Sequence, residues 1–286
     1  MAAPYRPGVD PFTTRTPRVV AARRLQRRRD REATGRFLAE GPQAVAEAPR
    51  ILELFGTVEA LDRYPELAAR AERVSPVTAD ALAALAETVA PQGLVAVCAF
   101  VDVPLPDALA RDPRLVAVLA DIRDPGNAGT VLRTADAAGA GAVIFAGDAV
   151  DPYNGKCVRA SVGSLFHVDL VRHREPAAVL AAIRAAGLRV LAADAYGDTD
   201  LDAFADAGGL GVPAAWLFGS EAHGLPAELA EAADARVRVP IHGRAESLNL
   251  AAAAAVCLYS SARALAAGGG LRKPRESSSV DKPPLV

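Results

Sequence analysis

The sequence predicts an α/β protein in two parts, a small N-terminal α/β domain and a C-terminal domain built on a parallel sheet. Three observations carry this. Beyond residue 114, short runs of mostly β-favouring apolar residues alternate with helical stretches, and strands apolar on both faces belong to a sheet covered on both sides. A shorter alternation of the same kind occupies residues 36–101. Between the two, Pro104, Pro106 and Pro113 interrupt regular structure and mark a linker at residues 104–113.

Composition bounds the rest. With 286 residues, 51% hydrophobic and 23% charged, the chain has ample material for two cores. Alanine supplies much of the apolar content and aromatics only 5%, which favours helices with small, closely packing faces. A formal net charge of −2 excludes a general basic field, so affinity for a polyanion must come from a local patch. Cys98, Cys157 and Cys257 are far apart and odd in number, which argues for reduced thiols in a cytoplasm rather than a disulfide framework or a zinc site. No apolar run is read as reaching the roughly 18 residues of a membrane span, and no signal-peptide core opens the chain, so a cytoplasmic protein without membrane contact is expected.

In chain order, residues 1–17 carry Pro4, Pro7, Pro11 and Pro17 and read as a flexible arm. Nine arginines then stand between Arg15 and Arg36 against Asp30 and Glu32, a density that repels itself unless an anion neutralises it. Arg23, Arg24, Arg27, Arg28 and Arg36 are the candidate contacts. Residues 36–48 read as a strand, a Gly-Pro turn and an amphipathic helix. Residues 51–55 and 93–101 read as strands, and 58–72 and 78–89 as helices, giving a domain over 18–103.

The second domain spans 114–266. Its strands are expected at 115–122, 142–146, 165–171, 189–193 and 214–218, with helices at 127–138, 176–186 and 226–233. Val237, Val239 and Ile241 alternate with Arg238 and Pro240 in a last strand at 236–241. A loop with Gly243 follows, Ser247 stands as the N-cap, and an alanine-rich helix closes the domain. Residues 267–286, rich in Gly, Ser and Pro, read as a disordered tail.

Neither a G-x-G-x-x-G nor a Walker A loop is present, and His167, His173, His223 and His242 are scattered, so a metal-free chemistry is favoured. Three clusters remain. In the first, 127–139, Asn127 is read as an N-cap, while Val131, Leu132, Ala135 and Ala138 share one helical face. Arg133 falls about 160° from that face at roughly 100° per residue, so it points outward. The second, 217–226, is a buried strand ending at Gly219, with Gly224 and Pro226 fixing a turn where ligands of such sheets sit. The third is 236–265.

Together these clusters resemble, in order, the three motifs of the SpoU/TrmH RNA ribose methyltransferases, a branch of the SPOUT superfamily. Asn127, Gly129, Arg133 and Ala135 match the first, Gly219, Glu221, Gly224 and Leu225 the second, and Pro240, Ile241, Gly243, Ser247, Leu248, Asn249 and Leu250 the third. Asp151 to Gly163 resembles the segment between the first two motifs, with Arg159 facing substrate. Glu40, Gly41 and Pro42 more loosely resemble the opening of the family's small substrate-binding domain.

The resemblance implies a SPOUT domain with a C-terminal trefoil knot, although general topology rules disfavour knots. It implies S-adenosyl-L-methionine held by Leu217, Phe218, Gly219, Ser220, Glu221, Gly224, Val239, Ile241, Ser247, Leu248, Asn249 and Leu250. It also implies a homodimer and methyl transfer to a ribose 2′-hydroxyl of RNA, with Arg133, Asn127, Glu221, Ser247 and Asn249 as catalytic positions; the separate N-terminal domain favours ribosomal RNA, with transfer RNA as the alternative. Arg23, Arg24, Arg27, Arg28, Arg36 and Arg159 are the expected RNA contacts. The competing readings are a catalytically silent member that binds RNA or cofactor only, and an unrelated nucleotide-binding α/β enzyme, which the missing phosphate loops disfavour.

Overall fold

The computed structural model describes residues 10–269. The N-terminal part runs α1 (Pro17–Arg24), α2 (Arg28–Thr34), β1 (Arg36–Glu40), α3 (Pro42–Glu47), β2 (Ile51–Gly56), α4 (Val58–Arg63), α5 (Pro65–Arg70), β3 (Val74–Pro76), α6 (Ala79–Leu85) and β4 (Leu94–Ala99). Its four strands form one sheet in the order β1-β4-β2-β3, antiparallel except for the parallel β2–β3 edge. After α7 (Leu105–Ala110) come β5 (Leu115–Ala120), α8 (Pro125–Ala137), β6 (Ala142–Ala146), α9 (Gly155–Ser161), β7 (Asp169–His173), α10 (Pro176–Ala185), β8 (Arg189–Ala193), β9 (Thr199–Asp200), α11 (Leu201–Asp206), β10 (Ala214–Phe218), α12 (Ala227–Glu231), β11 (Ala235–Arg238) and α13 (Leu250–Ala267).

The second sheet is parallel throughout, in the order β7-β6-β5-β10-β8-β11-β9. Every residue of β5, β6 and β10 is buried, which is why those strands read as unbroken apolar runs. Trp216 of β10 is wholly buried, and its indole N–H donates to Ser261 Oγ of α13 at 2.8 Å, so the last helix is pinned to the middle of the sheet. This polar pair is satisfied inside the core, where an unpaired donor would be costly.

Several expectations are corrected. Residues 1–9 of the expected flexible arm lie outside the described residues, but residues 10–16 are tied down. The Phe12 N–H donates to Pro76 O at 2.8 Å, the Thr78 N–H donates to Phe12 O at 2.9 Å, and the Phe12 ring packs on the apolar cluster under α1. The helix expected at 58–72 is two helices, because Pro65 lacks the N–H that a continuous helix needs and its ring blocks the preceding turn. The helix expected at 78–89 ends at Leu85. The linker at 104–113 contains α7, whose Leu105, Ala108 and Leu109 are buried in the apolar layer beside β5 and β6. The strand expected from 165 begins only at Asp169, after a single 3-10 turn at Ser164–Phe166. The strand expected to reach 241 ends at Arg238, before Pro240 removes a ladder donor.

Helix starts also shift. Asp124, not Asn127, caps α8, and Asn249, not Ser247, caps α13. Of the expected tail, Ala267 closes α13 and residues 270–286 lie outside the described residues. The expectation that no stretch attains membrane-span length does not hold for α13, an apolar helix of 18 residues with mean hydropathy 1.5. Its Ala254, Cys257, Leu258, Ser261 and Leu265 are buried against the sheet, which is the packing of a core helix.

The two parts are joined by charge as well as by apolar contact. Arg31 of α2 donates from Nε and Nη2 to Asp151 Oδ2 at 2.9 and 2.6 Å, with both side chains under 5% exposed. The remaining Arg31 donors reach Leu25 O and Gln26 O at 2.9 Å each. Arg172 pairs with Glu32 at 2.6 Å and with Asp102 at 2.5 Å. Its guanidinium lies over the rings of Phe100 and Tyr153, which stack on each other with centroids 4.0 Å apart.

Candidate active site

The chain winds outward from β5 through β6 to β7, then crosses to build β8 on the other side and inserts β10 between β5 and β8. Strand order therefore reverses between β5 and β10, and a ligand crevice is expected beyond the carboxyl ends of those two strands. All three sequence clusters end there.

The first wall is the start of α8. Asp124 accepts the Asn127 N–H at 2.8 Å with Oδ1 and the Lys156 ammonium at 2.7 Å with Oδ2. The Lys156 hydrogen bond, followed by that from the Asn127 backbone, holds the Asp124 carboxyl below its usual range. Pro125 sits in the first turn, where its missing N–H costs nothing. Gly129 is a close approach: a Cβ there would lie 2.4 Å from Cys157 O and 2.7 Å from the Ala160 side chain, so α8 and α9 are nearly in backbone contact. Arg133, one turn further along the same side of α8, is exposed and makes no hydrogen bond or ion pair among the described residues.

The second wall is the turn after β10. Ser220 N–H donates to Gly224 O at 3.0 Å and Gly224 N–H returns to Ser220 O at 2.8 Å, closing a tight loop. A Cβ on Gly219 would fall 2.2 Å from the Gly224 carbonyl carbon, so no larger residue fits without opening that loop. Leu217 and Phe218 are buried in the core. Ser220 is half-buried, while Glu221 and Gly224 are exposed at the rim.

The third wall is the segment from Val239 to Leu250. Among the described residues, residues 239–248 make no backbone–backbone hydrogen bonds. Ile241 and Leu248 remain 37% and 39% exposed. Backbone amides and carbonyls must find partners somewhere, so this segment offers unused donors and acceptors beside apolar side chains. Ser247 is exposed and lacks a side-chain partner among the described residues.

One residue joins the three walls. The Asn127 side-chain amide donates to Glu221 Oε1, and its Oδ1 accepts from Asn249 Nδ2 at 3.2 Å. Asn127, Glu221 and Asn249 are thus brought together, with Val239, Ile241, Ser247 and Leu248 on the adjoining segment.

Other expected positions are placed differently. Arg159, expected to face substrate, instead pairs with Glu40 at 3.3 Å and Glu87 at 3.1 Å of the N-terminal part. Two carboxylates across the domain contact are nearer partners than solvent. Arg23, Arg24, Arg27 and Arg36 are exposed without partners among the described residues, and Arg28 has only Glu32 at 4.0 Å. Sequence reasoning missed Asp124 and the inward turn of Arg31. The Asp-Pro pair ahead of an apolar helix is a cap signal that could have found the first, whereas one arginine among nine carries no local mark of burial.

The fold and site define a two-domain α/β protein in which three loops meet on one asparagine at the switch point of a parallel sheet, where ligands of such folds bind. Residues 114–259 match the model of the SpoU rRNA Methylase family, and residues 16–96 match that of the MRM3-like substrate binding domain. The chain belongs to the SpoU rRNA methylase family. It is 32% identical over 237 residues to the 23S rRNA (guanosine(2553)-2′-O)-methyltransferase RlmP of Bacillus subtilis, covering 83% of this chain and 92% of that one. Among solved structures, the AdoMet-bound rRNA methyltransferase of Sinorhizobium meliloti superposes with a TM-score of 0.77 at 32% identity, over 89% of this chain and 97% of that one. The SpoU methyltransferase AviRb of Streptomyces viridochromogenes, in complex with AdoMet, gives 0.75 at 31% identity, over 87% and 98%.

Proposed function

We propose that this protein transfers a methyl group from S-adenosyl-L-methionine to a ribose 2′-hydroxyl of RNA, and that the RNA is ribosomal. The observation that carries the reading is the Asn249–Asn127–Glu221 chain of side chains, which ties three loops together at the start of the helix on which Arg133 stands exposed without a partner among the described residues. The relatives named above support the substrate class.

The residues present fit the cofactor. The unused backbone groups of 239–248 suit its adenine edges, ribose hydroxyls and methionine carboxylate, and the exposed Ile241 and Leu248 suit its flat apolar parts. Gly219, Ser220, Gly224, Val239, Ile241, Leu248 and Leu250 would hold it. When bound, it supplies a methyl group on a sulfonium, a carbon whose leaving group is neutral and needs no metal.

The chain's own work is on the hydroxyl. A 2′-hydroxyl is a weak nucleophile until its developing negative charge is stabilised. Arg133 is a poor base, since a guanidinium holds its proton to a pKa above about 12. It acts as a donor to the ribose oxygen and clamps the adjacent phosphate, and the hydroxyl proton passes to water as the O–C bond forms. Asn127 and Glu221 orient the ribose, while Ser247 and Asn249 hydrogen-bond ribose, phosphate or cofactor carboxylate. The exposed Arg23, Arg24, Arg27, Arg28 and Arg36 carry RNA phosphates.

The same reading includes a trefoil knot, with residues 239–249 threaded back under the turn after β10, and a homodimer paired through the exposed side of α13, where Val256 and Tyr259 face solvent. It places the protein in the cytoplasm, where ribosomal RNA is made and used in a bacterium.

Incubation with tritiated cofactor and ribosomal RNA from cells lacking this protein tests the reading. Label retained as a 2′-O-methyl nucleotide is expected. Label confined to transfer RNA, or S-adenosylhomocysteine binding with no transfer to any RNA, would overturn it.

A further inference from the structure

Tyr196 stands at the carboxyl edge of the large sheet with 90% of its surface exposed, more than twice the exposure of Ile241 or Leu248 on the same edge. A single exposed aromatic is ordinary on a protein surface. Its mounting is not.

The turn that carries it is tied on every side. Tyr196 N–H donates to Asp194 Oδ1 at 2.9 Å, Gly197 N–H donates to Asp194 O at 2.9 Å, and Asp194 N–H donates to Val237 O at 3.0 Å. Arg236 Nε donates to Asp194 Oδ2 at 3.0 Å and Arg238 Nη1 to Gly197 O at 3.0 Å. A Cβ on Gly197 would lie 2.6 Å from Arg236 O, so the turn is pressed onto β11. The ring therefore projects from a fixed base.

Its place follows from strand register. Ala192 of β8 lies opposite Leu217 of β10, so Asp194 is level with Gly219, one strand away at about 4.8 Å, and the turn that carries Tyr196 starts there. On its other side, β11 leads directly into residues 239–248. The turn that holds the ring thus starts at the edge of the crevice assigned above to cofactor and ribose.

Ionic recognition does not account for this turn. Arg236 and Arg238 are matched by Asp194 at 2.9 Å and Asp200 at 3.7 Å, and the Asp198 side chain is exposed nearby. No net positive charge is left for a phosphate. What remains is the flat face of the ring, and flat aromatic faces bind unstacked bases in single-stranded RNA.

We propose that Tyr196 stacks an unpaired base of the RNA next to the nucleotide being methylated and so helps select a splayed, single-stranded target. The proposal rests on the RNA methyltransferase reading.

The test compares Tyr196→Ala, Tyr196→Phe and Tyr196→Trp, in the full chain, for methyl transfer to a 23S rRNA transcript. Loss of one base stack is expected to raise KM for RNA about 10- to 100-fold in Tyr196→Ala, with S-adenosylhomocysteine affinity and molecular mass in solution unchanged. Phe and Trp, which keep the ring face, should restore KM. The ratio of Tyr196→Ala to wild type should be the same at low and high salt, because no ion pair is lost. An unchanged KM, a KM that Phe fails to restore, weakened S-adenosylhomocysteine binding, or a changed molecular mass would each overturn the proposal, the last two by assigning the ring to the cofactor or to a second copy. If the wild-type protein transfers no methyl group, the methyltransferase reading falls on its own. Stacking is then judged by the emission of Tyr196→Trp, which single-stranded oligouridylate should quench; no quenching overturns it.

Discussion

Asn249 donates its side-chain amide to the side-chain oxygen of Asn127 at 3.2 Å, across 122 positions of sequence, and Asn127 passes a second bond on to Glu221. The start of α8, the turn after β10 and the cap of α13 are therefore one hydrogen-bonded unit. Asn249 does two jobs, since its own oxygen also accepts the Ala251 N–H at 2.9 Å and caps the helix.

Asn127→Asp should be worse than Asn127→Ala. Aspartate would set a carboxylate against Glu221 where an amide now donates, whereas alanine removes both bonds without adding repulsion. Steady-state methyl transfer should fall about 10-fold or more for alanine, the scale of one lost charge-assisted bond, and further for aspartate. Equal losses would count against the orientation assigned to this amide.

Arg133→Ala should lower kcat by about 10²- to 10³-fold, the usual cost of removing a donor to a developing oxyanion. Calorimetry should show S-adenosylhomocysteine affinity nearly unchanged. A large loss of that affinity would move Arg133 from the hydroxyl to the cofactor.

Gly219→Ala should weaken S-adenosylhomocysteine binding by more than about 10-fold, because a Cβ placed 2.2 Å from the Gly224 carbonyl carbon must displace the turn backbone. Circular dichroism should stay native, since the turn lies at the rim. Undiminished binding would remove this turn from the cofactor site.

His167 predicts a pH dependence. Its Nδ1 faces Asp136 Oδ2 of α8 at 2.8 Å and its Nε2 faces Glu47 Oε2 of α3 at 2.9 Å, so the ring spans the two domains. The hydrogen bond to Asp136, helped by that to Glu47 and opposed by partial burial, raises its pKa above the ordinary 6.5. With the folded value the higher, the stabilisation is fully present below the unfolded pKa and is lost as pH rises through the folded one. The melting-temperature advantage of wild type over His167→Gln should therefore shrink as pH is raised from below 6.5 into the alkaline range. A gap that widens instead would exclude a protonated bridge.

Arg31→Met should destabilise the fold by about 3–5 kcal/mol by leaving Asp151 buried and unpaired, and Arg31→Met with Asp151→Leu should recover much of it. Urea unfolding measures both. If the double variant is no better than the single one, the pair contributes through geometry at Tyr153, whose N–H donates to Asp151 Oδ1 at 2.9 Å, rather than through charge balance.

By itself the sequence determined the α/β alternation and the three clusters around Asn127, Gly219 and Asn249, whereas it read the buried helix at Leu105–Ala110 as linker. These are local properties: apolar runs, proline, glycine turns and cap residues declare themselves within a few positions. Cap positions were off by two or three residues because Asp124 and Asn127, or Ser247 and Asn249, are equally good caps until the chain's path chooses one. Only the tertiary structure decided which distant groups meet. Inserting β10 beside β5 brings Glu221 and Asn249 to Asn127, and docking the N-terminal sheet turns Arg31 inward and Arg159 toward Glu40 and Glu87. Strand order and domain contact set those distances, and a side chain of the same type a few positions away carries no trace of them.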